Sequence, residues 1–337
     1  MIDFSASIAP FGMPAKVKEA VMASIDAAEC YPDPDCLLLR EALASRYHGR
    51  VEQYIFGNGA ADLIYKTAEA LRDRIRTALI IEPAFSEYER ALRLSGIAVR
   101  HYETHKTGFT PTEELLRALT GGEYADVGLI LLANPANPAG TIVSVSFLQE
   151  LFHICRERGI LLMVDECFIG FLTDAASFSM AETAVKDGEG LLVLNAFTKL
   201  YAMPGLRLGY LSGDTGLLQR IDEIGQPWAV STPAQAAGLA ALALSEESYR
   251  LPLIRYIGKE RERMRCALTE AGCRVTEGKA NYLFFYAGPG GLYEKCRERG
   301  LLLRDCSDFY GLSQGYYRAA VLKEEENDRL ISVIREN

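Results

Sequence analysis

Lys199 stands inside "LNAFTKLYAMPGLRLGY" (194–210), an apolar run in which Arg207 follows eight residues later. A lysine in such surroundings is costly unless it is paired or has given up its charge. Uncharged, its amine is a nucleophile able to capture an aldehyde. A strand end whose two cations reach water explains the same stretch. Three further segments precede it in a telling order. "FGNGAAD" (56–62) opens a helix at Gly59, Ala60 and Ala61, where free backbone N–H groups attract phosphate; a plain turn into a helix also accounts for it. "NPANPAG" (134–140) carries Asn137 in a stiff loop. "VDE" (164–166) puts Asp165 at the end of an apolar strand, as helix cap or as ligand contact.

These residues need a scaffold that brings strand ends together. "TALIIEP" (77–83), "VGLILLA" (127–133), "GILLMVD" (159–165), "LLVLNAF" (191–197) and "LRLGYLS" (206–212) read as buried strands. Amphipathic segments at 60–71, 85–95, 112–119 and 146–158 read as helices, with "TPTEE" (110–114) a good helix start. Continuous apolar strands separated by helices predict an α/β fold with a mostly parallel sheet covered on both faces. Ligands then bind at the carboxyl edge of the sheet. The pattern changes near residue 232. An Ala-rich segment and a long charged helix lead into "CRVTEG", "ANYLFFYA" and "YYRAAV", which alternate like an antiparallel sheet. The expected division is 1–30, an N-terminal segment with a helix at 14–26 that packs with the small domain; 31–232, a large cofactor-binding domain; and 233–337, a small α+β domain.

One ligand accounts for all the singled-out groups. Its phosphate suits the Gly59 helix start, Thr198 and Arg207; a cationic ring nitrogen suits Asp165; a ring oxygen suits Asn137; an aldehyde suits Lys199. That ligand is pyridoxal 5'-phosphate. The order N-P-x-N-P-x-G, then D-E, then T-K-x-x-x-x-G-L-R-x-G resembles the fold-type I, aspartate-aminotransferase-like superfamily of class I/II aminotransferases over nearly the whole chain. The resemblance implies a seven-stranded, mostly parallel sheet. It also implies Lys199 as the Schiff-base lysine, Asp165 as partner of the ring nitrogen, Asn137 at the ring oxygen and Arg207 at the phosphate, where a guanidinium fork fits well. Phe85 in "EPAFSEY" falls where an aromatic stacks on the ring, or is plain core. Tyr31 in "YPDPD" matches a tyrosine that reaches the partner subunit's cofactor in a homodimer, or is a loop residue.

Within the superfamily the chain is similar to histidinol-phosphate aminotransferases and more so to L-threonine-O-3-phosphate decarboxylases of cobalamin assembly. "DFSASIAPFGMP" (3–14), "PAFSEYERAL" (83–92), "TKLYAMPGLRLGYL" (198–211) and "YYRAAV" (316–321) carry that likeness. It implies Arg304 and Arg318, with Asn137, as ligands of a phosphorylated amino-acid substrate, where the residues alone also allow two surface arginines, and Lys199 or Tyr31 as the group that returns a proton to Cα. Phe168 stands where the aminotransferases carry a tyrosine, which favours a decarboxylase giving 1-aminopropan-2-yl phosphate. An aminotransferase and a non-catalytic cofactor-binding module are the alternatives. Ala196 stands where a Ser or Thr often helps to hold the cofactor phosphate, and Ser7-Ile8-Ala9-Pro10 replaces the usual Asn-x-Asn-Pro.

Composition narrows the field further. The 337 residues carry a net charge of -9, which argues against nucleic acid as partner. The longest apolar stretch, 159–172, is broken by Asp165 and Glu166, so no membrane span is expected. Eight cysteines without a C-x-x-C pair, and with no signal-like segment ahead of them, fit a reducing cytoplasm. His101 and His105 lie four apart with no carboxylate or thiol cluster, so no metal is expected. A dinucleotide-binding G-x-G-x-x-G after the first strand is lacking.

Overall fold

The computed structural model describes residues 1–336. Its large sheet has seven strands: β1 (Tyr54–Asn58), β2 (Thr77–Glu82), β3 (Ala98–Glu103), β4 (Val127–Ala133), β5 (Leu161–Asp165), β6 (Leu191–Ala196) and β7 (Leu208–Gly213). In space they run β1-β7-β6-β5-β4-β2-β3. All are parallel except β7, which is antiparallel to both β1 and β6. Side chains alternate between two cores, as the period of two requires. Along β2, Ala78 and Ile80 face one and Leu79 and Ile81 the other. Helices Ala60–Leu71, Ser86–Leu94 and Thr215–Ile224 cover the first face; Glu113–Thr120 and Val145–Glu157 cover the second. Thr112 caps the helix that "TPTEE" foretells, its hydroxyl accepting from the Glu114 N–H at 3.4 Å.

A second sheet is antiparallel throughout, in the order Arg304–Asp305, Tyr316–Ala320, Tyr282–Tyr286, Arg274–Val275. Its core takes in Leu253, Ile257 and Met264 from the long helix Leu251–Glu270 and Leu330 and Ile334 from Glu324–Arg335.

Two sequence expectations need correction. The helix Thr232–Leu242, placed with the second unit, packs instead with Leu39, Tyr54, Phe56 and Leu208 beside the large sheet. Its small residues let it sit close: a Cβ on Gly238 would lie 2.6 Å from Leu208 and 2.8 Å from Leu39. The N-terminal segment also divides. Ile2–Asp3 pairs in parallel with Leu301–Leu302, and Phe4 enters the small-sheet core. The helix Ala15–Ala23, shorter than expected, packs against Thr232–Leu242 instead, with Val17 buried beside Leu39.

Candidate active site

The carboxyl edge of the large sheet gathers loops from several strands, and the antiparallel β7 delivers its entry turn to the same edge. There a cavity of about 250 Å³ is lined by Ala60, Ala61, Phe85, Asn137, Asp165, Phe168, Thr198, Lys199, Arg207, Arg304 and Arg318, among others. Of the residues singled out in the sequence, twelve thus meet in one place, Ala196 among them, although they span positions 60 to 318.

At one end of the cavity, Arg207 adopts a left-handed φ of 57° after the turn Pro204–Leu206, and its Nη1 donates to the Pro204 carbonyl at 2.9 Å. The guanidinium lies against Gly59 (φ 85°), where a Cβ would sit 2.4 Å from Nη2. Gly209 lets β7 approach equally closely, since its Cβ would lie 2.5 Å from the Ala60 nitrogen. The result sets a cation, the free N–H groups at the start of Ala60–Leu71 and the buried Thr198 hydroxyl around one point. That combination is a cradle for a phosphate.

Asp165 ends β5, only 9% exposed. The Tyr88 hydroxyl donates to Oδ2 at 2.5 Å and the Cys167 N–H donates to Oδ1 at 2.8 Å. Burial first, then the Asp165 charge, raise the pKa of Tyr88 well above its ordinary value, so Tyr88 stays a donor. Sequence reading passed over Tyr88, although it follows Phe85 by one helical turn and its ring meets Phe85 edge-on at 5.8 Å.

Lys199 lies between these ends, its Nζ donating to the Ala6 carbonyl at 3.0 Å. Burial lowers its pKa, and the Arg318 and Arg207 charges add to that effect; Cys167 and Asp165 oppose it. Its surroundings therefore favour the neutral amine that nucleophilic chemistry needs.

Arg304 and Arg318 are direct partners across two antiparallel strands, which puts both side chains on one face of the small sheet. Like charges placed opposite are destabilising in a sheet without an anion to share. Arg318 is only 8% exposed. It donates to Asn137 Oδ1 and, at 2.6 Å, to the Ser5 carbonyl, while its Nε has no partner among the described residues. Arg304 is more open and pairs with Asp308 at 2.8 Å. The backbone carbonyls of Ser5 and Ala6 thus hold Arg318 and Lys199 in place, a role with no side-chain signature in the sequence.

Tyr31 does not line this cavity. It is 79% exposed and stacks on Trp228 with ring centroids 4.4 Å apart. Met22, Ile25, Leu37 and Leu38 are other exposed apolar side chains on the neighbouring N-terminal elements. His101 and His105 pair with Glu82 and Glu103, each at 3.0 Å.

A phosphate cradle, a buried amine and a buried carboxylate within one cavity fit pyridoxal phosphate, and the comparisons with known proteins agree. The description "Aminotransferase class I and II" matches residues 1–334, and the chain belongs to that family of pyridoxal-phosphate-dependent enzymes. It is 34% identical to the threonine-phosphate decarboxylase of Salmonella typhimurium, over 99% of this chain and 90% of that one. It is 28% identical to histidinol-phosphate aminotransferase 2 of Archaeoglobus fulgidus, over 100% and 93%. Among solved structures, L-threonine-O-3-phosphate decarboxylase from Porphyromonas gingivalis superposes with a TM-score of 0.85 at 23% identity, covering 100% of this chain and 99% of that one. The histidinol-phosphate aminotransferase from Clostridium acetobutylicum gives 0.88 at 24%, covering 100% and 98%. At these identities the two structures speak for the fold alone. Among the described residues, no helix is long and apolar enough to cross a membrane.

Proposed function

We propose that this enzyme decarboxylates L-threonine O-3-phosphate to 1-aminopropan-2-yl phosphate, a step toward cobalamin, with pyridoxal phosphate as cofactor. The observation that carries the reading is the Arg304–Arg318 pair on one sheet face beside Lys199. Two cations so placed suit one small substrate with two anionic groups, a carboxylate and a phosphate. The buried Arg318 takes the carboxylate, which exchanges with the Ser5 carbonyl, and the more open Arg304 takes the phosphate. The likeness to threonine-phosphate decarboxylase across the whole chain supports the same choice.

Ala60, Ala61, Thr198 and Arg207 would hold the cofactor phosphate, Asn137 and Asp165 its ring, Phe85 a ring face, and Lys199 its aldehyde carbon. When bound, the cofactor supplies an electron sink for the bond that breaks at Cα. The chain decides which bond that is, by orientation. With its carboxylate on Arg318 and its phosphate on Arg304, the substrate would be turned so that the Cα–carboxylate bond is the one exposed to that electron sink. CO2 would then leave, and Lys199 Nζ or Tyr31 of a second copy would return a proton to Cα. Phe168 supports this outcome. It packs edge-on against Tyr282 at 5.1 Å and offers no hydroxyl beside Asp165. Tyr31 and Trp228, exposed and stacked, suit a homodimer in which Tyr31 enters the other subunit's site.

Histidinol-phosphate aminotransferase is the second reading, favoured by the 28% identity over the full chain. Side-by-side initial rates test the two. The proposal expects CO2 from L-threonine O-3-phosphate at a rate at least a hundredfold above amino transfer from histidinol phosphate to 2-oxoglutarate. The reverse ratio overturns it.

A further inference from the structure

We propose that His101 and Tyr310 form a latch that positions the Arg304–Phe309 wall of the cavity, so that His101 is a positioning residue for the substrate's phosphate group. The inference rests on the reading of Arg304 as an anion ligand. Neither residue lines the cavity.

The segment after Arg304 is a tight turn. Arg304 Nη1 donates to the Asp305 carbonyl at 2.7 Å, its Nη2 pairs with Asp308 at 2.8 Å, and its guanidinium lies over the Phe309 ring at 5.0 Å. The Phe309 N–H donates to Cys306 at 3.1 Å, and Leu312 closes on Phe309 at the same distance. Arg304 and Phe309 therefore move as one piece, and both line the cavity. Phe309 and Leu312 pack inward, near Ala139 and Phe109.

Tyr310 is the outer contact of that piece. Its ring stacks on His101 with centroids 3.8 Å apart and planes 7° from parallel. His101 belongs to β3, an edge strand of the large sheet, so the stack ties the small-sheet turn to the large sheet. The imidazole cannot turn freely. Its Nδ1 lies 3.0 Å from Glu82 Oε1 and its Nε2 lies 3.7 Å from Glu89 Oε1. Glu82 is itself 4% exposed, a rigid anchor. Histidine is the side chain that meets both demands, a flat face for Tyr310 and two nitrogens at its rim for two carboxylates.

An aromatic contact of this kind alters an equilibrium by roughly three- to tenfold. Holoenzyme variants Tyr310→Ala, Tyr310→Phe and His101→Gln test the latch. Tyr310→Ala is expected to raise KM for L-threonine O-3-phosphate by about three- to tenfold, with kcat within about twofold. Tyr310→Phe keeps the ring and should match the wild type. His101→Gln keeps a partner for Glu82 but loses the stack, and should match Tyr310→Ala. An unchanged KM in Tyr310→Ala, or equal effects of Ala and Phe, overturns the latch. If the wild type fails to release CO2 but transfers the amino group of histidinol phosphate, the proposed decarboxylation fails, and the same KM comparison on that phosphorylated substrate still decides the latch. Limited chymotrypsin digestion needs no substrate: His101→Gln should be cut after Tyr310 several times faster than wild type, and equal rates overturn the proposal.

Discussion

Glu166 offers a quantitative test of the packing behind the site. It follows Asp165 and is 0% exposed. The Met180 N–H donates to Oε1 at 2.5 Å, and the Ser179 hydroxyl lies 2.6 Å from Oε2. Burial, with a smaller push from Asp165, raises the Glu166 carboxyl from an ordinary 4.5 to about 7, against the pull of those two hydrogen bonds. A carboxyl raised in the folded state binds its proton more tightly there than in the unfolded chain. Its contribution to stability is therefore complete below pH 4.5 and is lost as pH rises through about 7. The gap is worth roughly 3–4 kcal/mol at about 1.4 kcal/mol per pH unit, and most of it falls between pH 5 and pH 8. Glu166→Gln imitates the protonated form: Oε1 still accepts from Met180, and Nε2 donates to the Ser179 oxygen. The variant should then gain on the wild type as pH rises. With an unfolding entropy of roughly 0.7 kcal/mol/K for a chain of this length, the gain is about 3–4 °C in Tm. Calorimetry of both proteins at pH 5 and pH 8, saturated with pyridoxal phosphate, measures it. A Tm difference that stays within about 1 °C between the two pH values would refute the reasoning.

Three further outcomes follow from the site. Asp165→Ala should leave the secondary structure unchanged by circular dichroism and lower kcat by several orders of magnitude; a loss under about tenfold, about 1.4 kcal/mol, would reduce Asp165 to a structural role. Gly59→Ala places a Cβ where Arg207 Nη2 now lies and forces an alanine to φ 85°. Cofactor affinity read by absorbance titration should weaken by roughly ten- to a hundredfold, and unchanged affinity would remove the phosphate from that corner. Lys199→Ala and Tyr31→Ala should each be inactive alone, and mixing them should restore part of the activity by exchange of subunits. An active, strictly monomeric enzyme would contradict the crossing of Tyr31.

That the candidate residues gather in one place was more legible than the elements around them. Lys199, Asp165, Asn137 and Arg207 announce themselves because a cation, a carboxylate and an amide at the ends of apolar runs are costly without a ligand. The central strands were legible for the same reason, being apolar on both faces. The strands β1 and β3 were not. "YIFGN" is short and shares its end with the phosphate turn, and "AVRHYE" is an edge strand with every position at least partly exposed, so its polar residues look like a loop. The boundary near 232 was misplaced because an Ala-rich helix has no strongly apolar face to say which core it joins. The pairing of Arg304 with Arg318 and the grip of the Ser5 and Ala6 carbonyls depend on register and backbone position, which residue types do not encode.

The central claim is the fate of the Cα–carboxylate bond. Holoenzyme incubated in D2O with L-threonine O-3-phosphate as the only substrate measures it directly, with CO2 trapped and the organic product followed by NMR. The account predicts one CO2 per substrate consumed and one 1-aminopropan-2-yl phosphate carrying a single deuterium at the former Cα. A 2-oxo product without CO2, formed only when a keto acid is added, would contradict it.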